Sequence, residues 1–146
     1  MKISGKHILY AVGLIALPVM MVLAPIEDTA KTSPVETSAP AGMISVALPE
    51  NLTKEAVIGK RAFDAACASC HGANAAGQDG VAPPLVHKIY EPSHHGDASF
   101  HSAAQQGVRA HHWSFGDMPP VEGLTQFDVE AIVAYVRELQ RHNGID

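Results

Sequence analysis

The chain has 146 residues and a formal net charge of −5, a size that fits one domain with a shorter additional segment. Nucleic-acid-binding domains usually present a basic face, so this acidic balance argues against that class of function. The charge balance indicates nothing more specific about partners.

The first 26 residues differ in composition from the rest. Lys2 and Lys6 precede an uncharged run of 19 residues, Ile8 to Ile26, a pattern typical of an export signal or a first membrane helix. As a helix the run would reach about 28 Å, close to the hydrocarbon thickness of a bilayer. Because Pro25 should block cleavage at the end of the run, we favour an uncleaved anchor, residues 1–26, over a removed signal peptide. The lysines then stay in the cytoplasm, and the remaining chain faces the periplasm from the bacterial inner membrane; a cleaved segment would instead leave a soluble periplasmic protein.

Residues 27–47 mix Pro, Ser, Thr and charged residues without periodicity, which predicts a flexible linker. We expect the folded domain to cover residues 48–146. Its first helix is predicted over Lys54 to Ala66, where Gly59 would let another helix approach closely. The density of Gly and Pro from Gly72 to Pro92 predicts loops. A shorter helix should follow from Asp97, as its N-cap, to about Gln106, and Gly107 should stop it.

The last helix has the clearest pattern. Thr125 is its predicted N-cap and Asp128 an acidic residue in its first turn, although a capping box would usually carry Glu or Gln there. One apolar stripe follows at three- and four-residue spacing, formed by Val129, Ile132, Val133, Val136 and Leu139. Arg137 and Arg141 fall in the last turns, and Gly144 lies at the stop. These patterns predict an all-α domain of a few helices.

The only two cysteines stand in Cys67-Ala68-Ser69-Cys70-His71. C-x-x-C-H is the attachment signature of c-type haem. The two thiols add to the vinyl groups at one haem edge and form thioether bonds, and His71 presents its Nε2 to the iron. We interpret Cys67, Cys70 and His71 as the attachment site of one covalently bound haem c.

Three other interpretations of the cysteines are weaker. A thioredoxin-like pair needs a βαβ context, and the sequence shows no strand pattern around it. A zinc site needs two further ligands, which only irregularly spaced histidines could supply. A disulfide between residues so close together would constrain very little of the chain.

From about Gly59 to Gly144 the chain resembles a class I, cytochrome c-like monohaem cytochrome. The resemblance starts with Gly59 and Phe63, which stand four residues apart before the haem motif. It continues with Pro83-Pro84-Leu85, where the resemblance implies that the Pro83 carbonyl accepts a hydrogen bond from Nδ1 of His71. Met118, followed by two prolines, is implied as the second axial ligand of the iron. Tyr135 is implied to pack on the first helix.

The resemblance implies a one-electron carrier rather than an enzyme, working between periplasmic or membrane redox partners whose identity the sequence does not give. We expect a monomer that contacts the membrane through its N-terminal helix. Two alternatives stay open: a peroxidase-like haem enzyme, or a haem/copper sensor or metal-handling protein. Ligation by Met118 argues against the enzyme, because it leaves no open site on the iron.

Trp113 and the histidines are the remaining candidates. The indole N–H of Trp113 could donate to a haem propionate, although ordinary core packing explains the residue equally well. Seven histidines besides His71 lie in the expected domain: His87, His94, His95, His101, His111, His112 and His142. Their spacing matches no metal motif, so we interpret them as solvent-facing or propionate-contacting rather than as a second metal site. His111 and His112 could also compete with Met118 for the iron.

Overall fold

The computed structural model describes residues 42–146. Within that range the chain forms four α-helices: α1 (Lys54–Ala66), α2 (Ala68–His71), α3 (Asp97–Gln106) and α4 (Gln126–His142). Two 3₁₀ turns lie between α2 and α3, over Ala73–Ala75 and Lys88–Tyr90. The described residues contain no strand, only two isolated β-bridges. The all-α prediction is confirmed.

Helices α1 and α4 form the framework of the domain. Gly59 of α1 lies so close to α4 that a Cβ built on it would be 1.8 Å from the carbonyl oxygen of Ala131. Next to this contact the rings of Phe63 and Tyr135 pack with centroids 5.7 Å apart, and both side chains are fully buried. The close approach at Gly59 and the packing of Tyr135 on the first helix agree with the sequence prediction.

The N-terminal cap of α4 involves Asp128, a residue type that is unusual at this position of a capping box. The hydroxyl of Thr125 accepts from the backbone N–H of Asp128, and the Asp128 carboxylate accepts from the backbone N–H of Thr125, which completes a capping box. The Thr125 hydroxyl also donates to the Asp128 carboxylate at 2.6 Å, and this bond, followed by the one from the Thr125 backbone N–H, lowers the pKa of Asp128. Aspartate therefore serves here where Glu or Gln is usual. From this cap the predicted apolar stripe of α4 lies buried in the core.

The N-cap of α3 lies one residue before the predicted one. Its N-cap is Gly96, and Asp97 lies in the first turn. The Asp97 carboxylate accepts from Nε of Arg137 at 2.8 Å, so the side chain is engaged with α4 instead of capping its own helix. The predicted C-terminal stop at Gly107 is confirmed.

The folded region begins before the predicted boundary at Leu48. The backbone N–H of Ile44 donates to Ala76 O at 3.2 Å, and Ala47 exchanges two hydrogen bonds with the Asn143 side chain, both at 2.9 Å. Ile44 and Val46 also pack against the core. The last residues of the predicted linker are thus part of the domain, because their backbone groups and apolar side chains find partners there.

The predicted anchor, residues 1–26, and most of the predicted linker lie outside the described residues. Among residues 42–146, no helix is both long and apolar enough to cross a membrane.

Candidate functional site

The cysteine motif lies on a single helical turn that continues α1. The N–H of Cys67 donates to Phe63 O at 2.8 Å and so closes α1, and α2 then runs from Ala68 to His71. Gly72, with φ at 73°, ends this turn. The tight turn brings the side chains of Cys67, Cys70 and His71 to one cavity.

The His71 ring is oriented by the chain itself. Its Nδ1 lies 2.8 Å from the carbonyl oxygen of Pro83. A carbonyl oxygen can only accept, so Nδ1 carries the proton and Nε2 keeps its lone pair. Burial lowers the pKa of His71, and the hydrogen bond to Pro83 opposes that shift. A neutral, fixed imidazole is the form that ligates iron.

The cavity has a volume of about 800 Å³, within the range of small-molecule and cofactor sites. Besides the two cysteines, four residues were predicted to lie around the cofactor. All four line this cavity: His71, Pro83, Trp113 and Met118. Apolar side chains from α3, α4 and the intervening loops complete its walls, among them Leu85, Phe100, Leu124, Val129 and Ile132. A large, mainly apolar cavity suits a flat hydrophobic group.

Met118 is held by a short irregular segment between α3 and α4. The backbone groups of Met118 and Val108 exchange two hydrogen bonds, both 2.9 Å long. Gly107 starts the turn with φ at 75°, and a Cβ there would lie 2.4 Å from Met118 O. Ala110 N–H donates to the Asp117 carboxylate at 2.8 Å. These contacts fix the backbone of Met118 on the cavity wall.

The environment of Cys67 does not suit a redox-active or metal-binding thiol. Burial, and secondarily the neighbouring Cys70, raise the pKa of Cys67 to about 11 in the unmodified chain. Reactive cysteines require the opposite shift. Neither cysteine takes part in the one potential metal-ligand cluster that residues 42–146 contain. Cys67 is partly buried, Cys70 is exposed, and both line a large, mainly apolar cavity, which instead fits attachment of a hydrophobic group.

The model of the cytochrome c family matches residues 56–140, more than half of the chain. The chain belongs to the cytochrome c family. It has no significant similarity to any of the curated proteins or solved structures with which it was compared. Members of this family carry covalently bound haem c, and the spacing of Cys67 and Cys70 before His71 fits its attachment.

One buried polar atom that lacks a hydrogen-bond partner among the described residues supports the binding of haem in this cavity of the cytochrome. The indole Nε1 of Trp113 is buried and, within the described part of the chain, has no hydrogen-bond partner. The Tyr90 hydroxyl lies near this nitrogen but not in hydrogen-bonding geometry. Buried N–H groups normally have a partner, and a haem propionate in this cavity would supply an acceptor. The Trp113 ring is positioned by Phe115, stacked at 5.7 Å, and by the edge of His87 at 5.3 Å.

Two polar residues of α4, for which the sequence predicted no role at the site, hold the loops of the cavity wall of this cytochrome in place. Arg137 and Gln140 are buried, at 6 % and 0 % exposure. Arg137 donates to the backbone carbonyls of Tyr90 and His95, and Gln140 donates to those of Leu85 and Tyr90. The sequence suggested only a favourable charge near a helix end for Arg137. The two carbonyls to which it donates lie more than 40 residues away in the sequence, and no local pattern indicates them.

The histidines are unevenly distributed. His94, His95, His111 and His112 lie together, with ring centroids of neighbouring pairs 4.3–5.8 Å apart. His94, His111 and His112 are exposed, as the solvent-facing interpretation expects, and His95, His111 and His112 also line the rim of the cavity. Partial desolvation, followed by the other three imidazoles, lowers the pKa of His112.

Proposed function

We propose that this cytochrome c is a one-electron carrier in which His71 and Met118 are the two axial ligands of the haem iron. When bound, haem c supplies an iron that takes up and releases one electron. The observation that carries the proposal is that His71, with its Nε2 free, and Met118, fixed by Val108, line the same cavity.

The roles of the protein residues follow from their positions. Cys67 and Cys70 hold the cofactor covalently, Pro83 orients the His71 ring, and burial favours its neutral form. A thioether ligand favours the reduced iron and raises the reduction potential, which suits a carrier. It also occupies the position that a substrate of a haem enzyme would need.

Exposure along the motif supports electron exchange at the protein surface. His71 is buried whereas Cys70 is exposed, so the cofactor edge attached at Cys70 lies near solvent. Val81 lines the same cavity and is 49 % exposed, which gives its rim an apolar residue. We place transient docking of redox partner proteins, donor and acceptor, at this edge, since redox encounters use small contact areas.

We further propose that the N-terminal segment anchors the protein in the bacterial inner membrane with the haem domain in the periplasm. The support is the sequence pattern of Lys2, Lys6 and the apolar run that follows. A tether of this kind raises the effective concentration of the domain near membrane partners. Donor and acceptor would then include membrane-bound redox proteins.

The weak red absorption band of ferric methionine-ligated haem tests the ligation. We expect the band in the purified, haem-loaded protein, its loss in Met118→Ala, and its retention in Met43→Leu, which removes a thioether elsewhere in the domain. Absence of the band from the wild type, or its persistence in Met118→Ala, would overturn ligation by Met118. Far-ultraviolet circular dichroism of each variant checks that the helices are retained.

A further inference from the structure

The four clustered histidines include a group with the arrangement of a metal site. His94, His95 and His112 each offer a ring nitrogen, and these three nitrogens lie within 4.8 Å of one another. The three residues come from two segments, the loop before α3 and the segment before Met118, so the fold and not the local sequence brings them together. We propose that His94, His95 and His112 bind a divalent transition-metal ion, Cu²⁺ or Zn²⁺, next to the haem cavity.

The separation of two of these nitrogens fits a metal ion. Nε2 of His94 and Nε2 of His112 are 3.3 Å apart. Two nitrogens at about 2.05 Å from a tetrahedral zinc ion lie roughly 3.3 Å from each other. The same distance also suits an N–H···N hydrogen bond between two neutral rings, so the metal ion and the hydrogen bond are the two explanations that an experiment has to separate.

His95 has the support that metal-ligating histidines usually have. Its Nδ1 lies 2.7 Å from Ile89 O. Because the carbonyl oxygen accepts, Nδ1 is the protonated nitrogen and Nε2 keeps the lone pair for a ligand. This bond repeats at His95 the arrangement that Pro83 provides for His71.

The backbone under His95 is also fixed. The buried Arg137 donates from Nη2 to His95 O at 2.5 Å and from Nη1 to Tyr90 O at 2.6 Å. Two points of the loop are thereby joined to α4, the best-packed helix of the domain. Sites held on rigid elements bind with less loss of conformational freedom.

Access and ligand chemistry indicate the class of ion. His94 and His112 are exposed, so an ion from solution can reach the group. Imidazole suits copper and zinc, and a given nitrogen site usually binds Cu²⁺ more tightly than Zn²⁺. Three protein ligands leave a coordination position for water or for the neighbouring His111. The proposal does not depend on Met118 ligating the haem iron.

A metal-binding titration of tag-free, haem-loaded, full-length protein tests the site. The protein is kept ferric so that the haem cannot reduce Cu²⁺. We expect one equivalent of Zn²⁺ to be taken from a chromogenic chelator, and one equivalent of Cu²⁺ to be retained with a nitrogen-ligand electron paramagnetic resonance spectrum. His94→Asn and His112→Asn should each weaken binding more than about tenfold, since even losing a residue that supports a ligand costs 10- to 100-fold. The exposed His142, on the last turn of α4, gives the matched control His142→Asn, which should bind as the wild type does.

The result that overturns the proposal is failure to bind either ion, or binding that His94→Asn and His112→Asn leave unchanged. The first outcome would leave the 3.3 Å contact as a hydrogen bond. The second would put the ion elsewhere on the protein. An independent readout is the haem reduction potential: a dication beside the cavity repels the ferric charge, so Zn²⁺ should raise the potential in the wild type and in His142→Asn but not in His112→Asn. An unchanged potential in the zinc-loaded wild type would contradict a site next to the haem.

Discussion

The α1–α4 helix pair and the segment that carries Met118 are built in opposite ways. The helix pair is held by backbone against backbone at Gly59 and by fully buried rings. The segment from Gly107 to Val121 has no helix, is largely exposed, and is held by a few hydrogen bonds. One side of the domain is therefore stabilised by the packing of the chain on itself, whereas the other side consists of loops around a cavity that its cofactor fills.

The largest loss of stability is expected from a larger side chain at Gly59, where α1 and α4 are in backbone contact. Gly59→Val should lower the free energy of unfolding by about 3 kcal/mol, because the new side chain meets the backbone of α4, which cannot rotate away. Denaturant unfolding of the haem-loaded protein measures the loss.

The matched control for this substitution is Gly96→Ala. A Cβ at Gly96 has no neighbour closer than 3.6 Å, so the loss should stay within about 1 kcal/mol. A similar loss for the two variants would contradict the importance of the close contact.

Arg137 of α4 holds another part of the cavity wall, the loop before α3 that contains Tyr90 and His95. Arg137→Met should lower the free energy of unfolding by about 2 kcal/mol, because it removes the buried donor of His95 O and the ion pair with Asp97. The control Arg141→Met removes an exposed charge four residues further along α4 and should change stability little. Equal losses in the same unfolding assay would show that the contacts of Arg137 with the loop contribute nothing.

The smallest effect is expected at the cap of α4, which belongs to the helix pair. Thr125→Ala should lower the free energy of unfolding by about 1 kcal/mol through loss of the N-cap hydrogen bond.

The hydrogen bonds at the cap of α4 also predict how the free energy of unfolding depends on pH. The folded-state pKa of Asp128 is lowered by its bonds to Thr125, so the carboxylate stabilises the fold above its ordinary pKa, and this contribution fades as the pH falls through the lowered value. Unfolding curves at neutral and acidic pH should therefore differ less for Thr125→Ala than for the wild type. An unchanged acid dependence would contradict this assignment.

The sequence predicted the two sides unequally well. The bounds of α1, the stripe of α4 and the stop at Gly107 follow from helical periodicity, caps and glycine, which act within a few residues. The C-x-x-C-H motif is equally local and indicates its cofactor directly. The burial of Arg137 and Gln140, the packing of Ile44 and Val46, and the convergence of His94 with His112 depend on residues distant in the chain. Local patterns carry no signal for such contacts.

Carbon monoxide binding tests whether the loops around the cavity, with Met118, prevent external ligands from reaching the haem iron. We expect no spectral change when carbon monoxide is added to the reduced, haem-loaded wild type, because Met118, as the proposed axial ligand, would occupy the position that the gas would take. Reduced Met118→Ala should bind carbon monoxide under the same conditions. Tight binding of carbon monoxide by the wild type, equal to that of Met118→Ala, would contradict the account of this protein as a closed, methionine-ligated electron carrier.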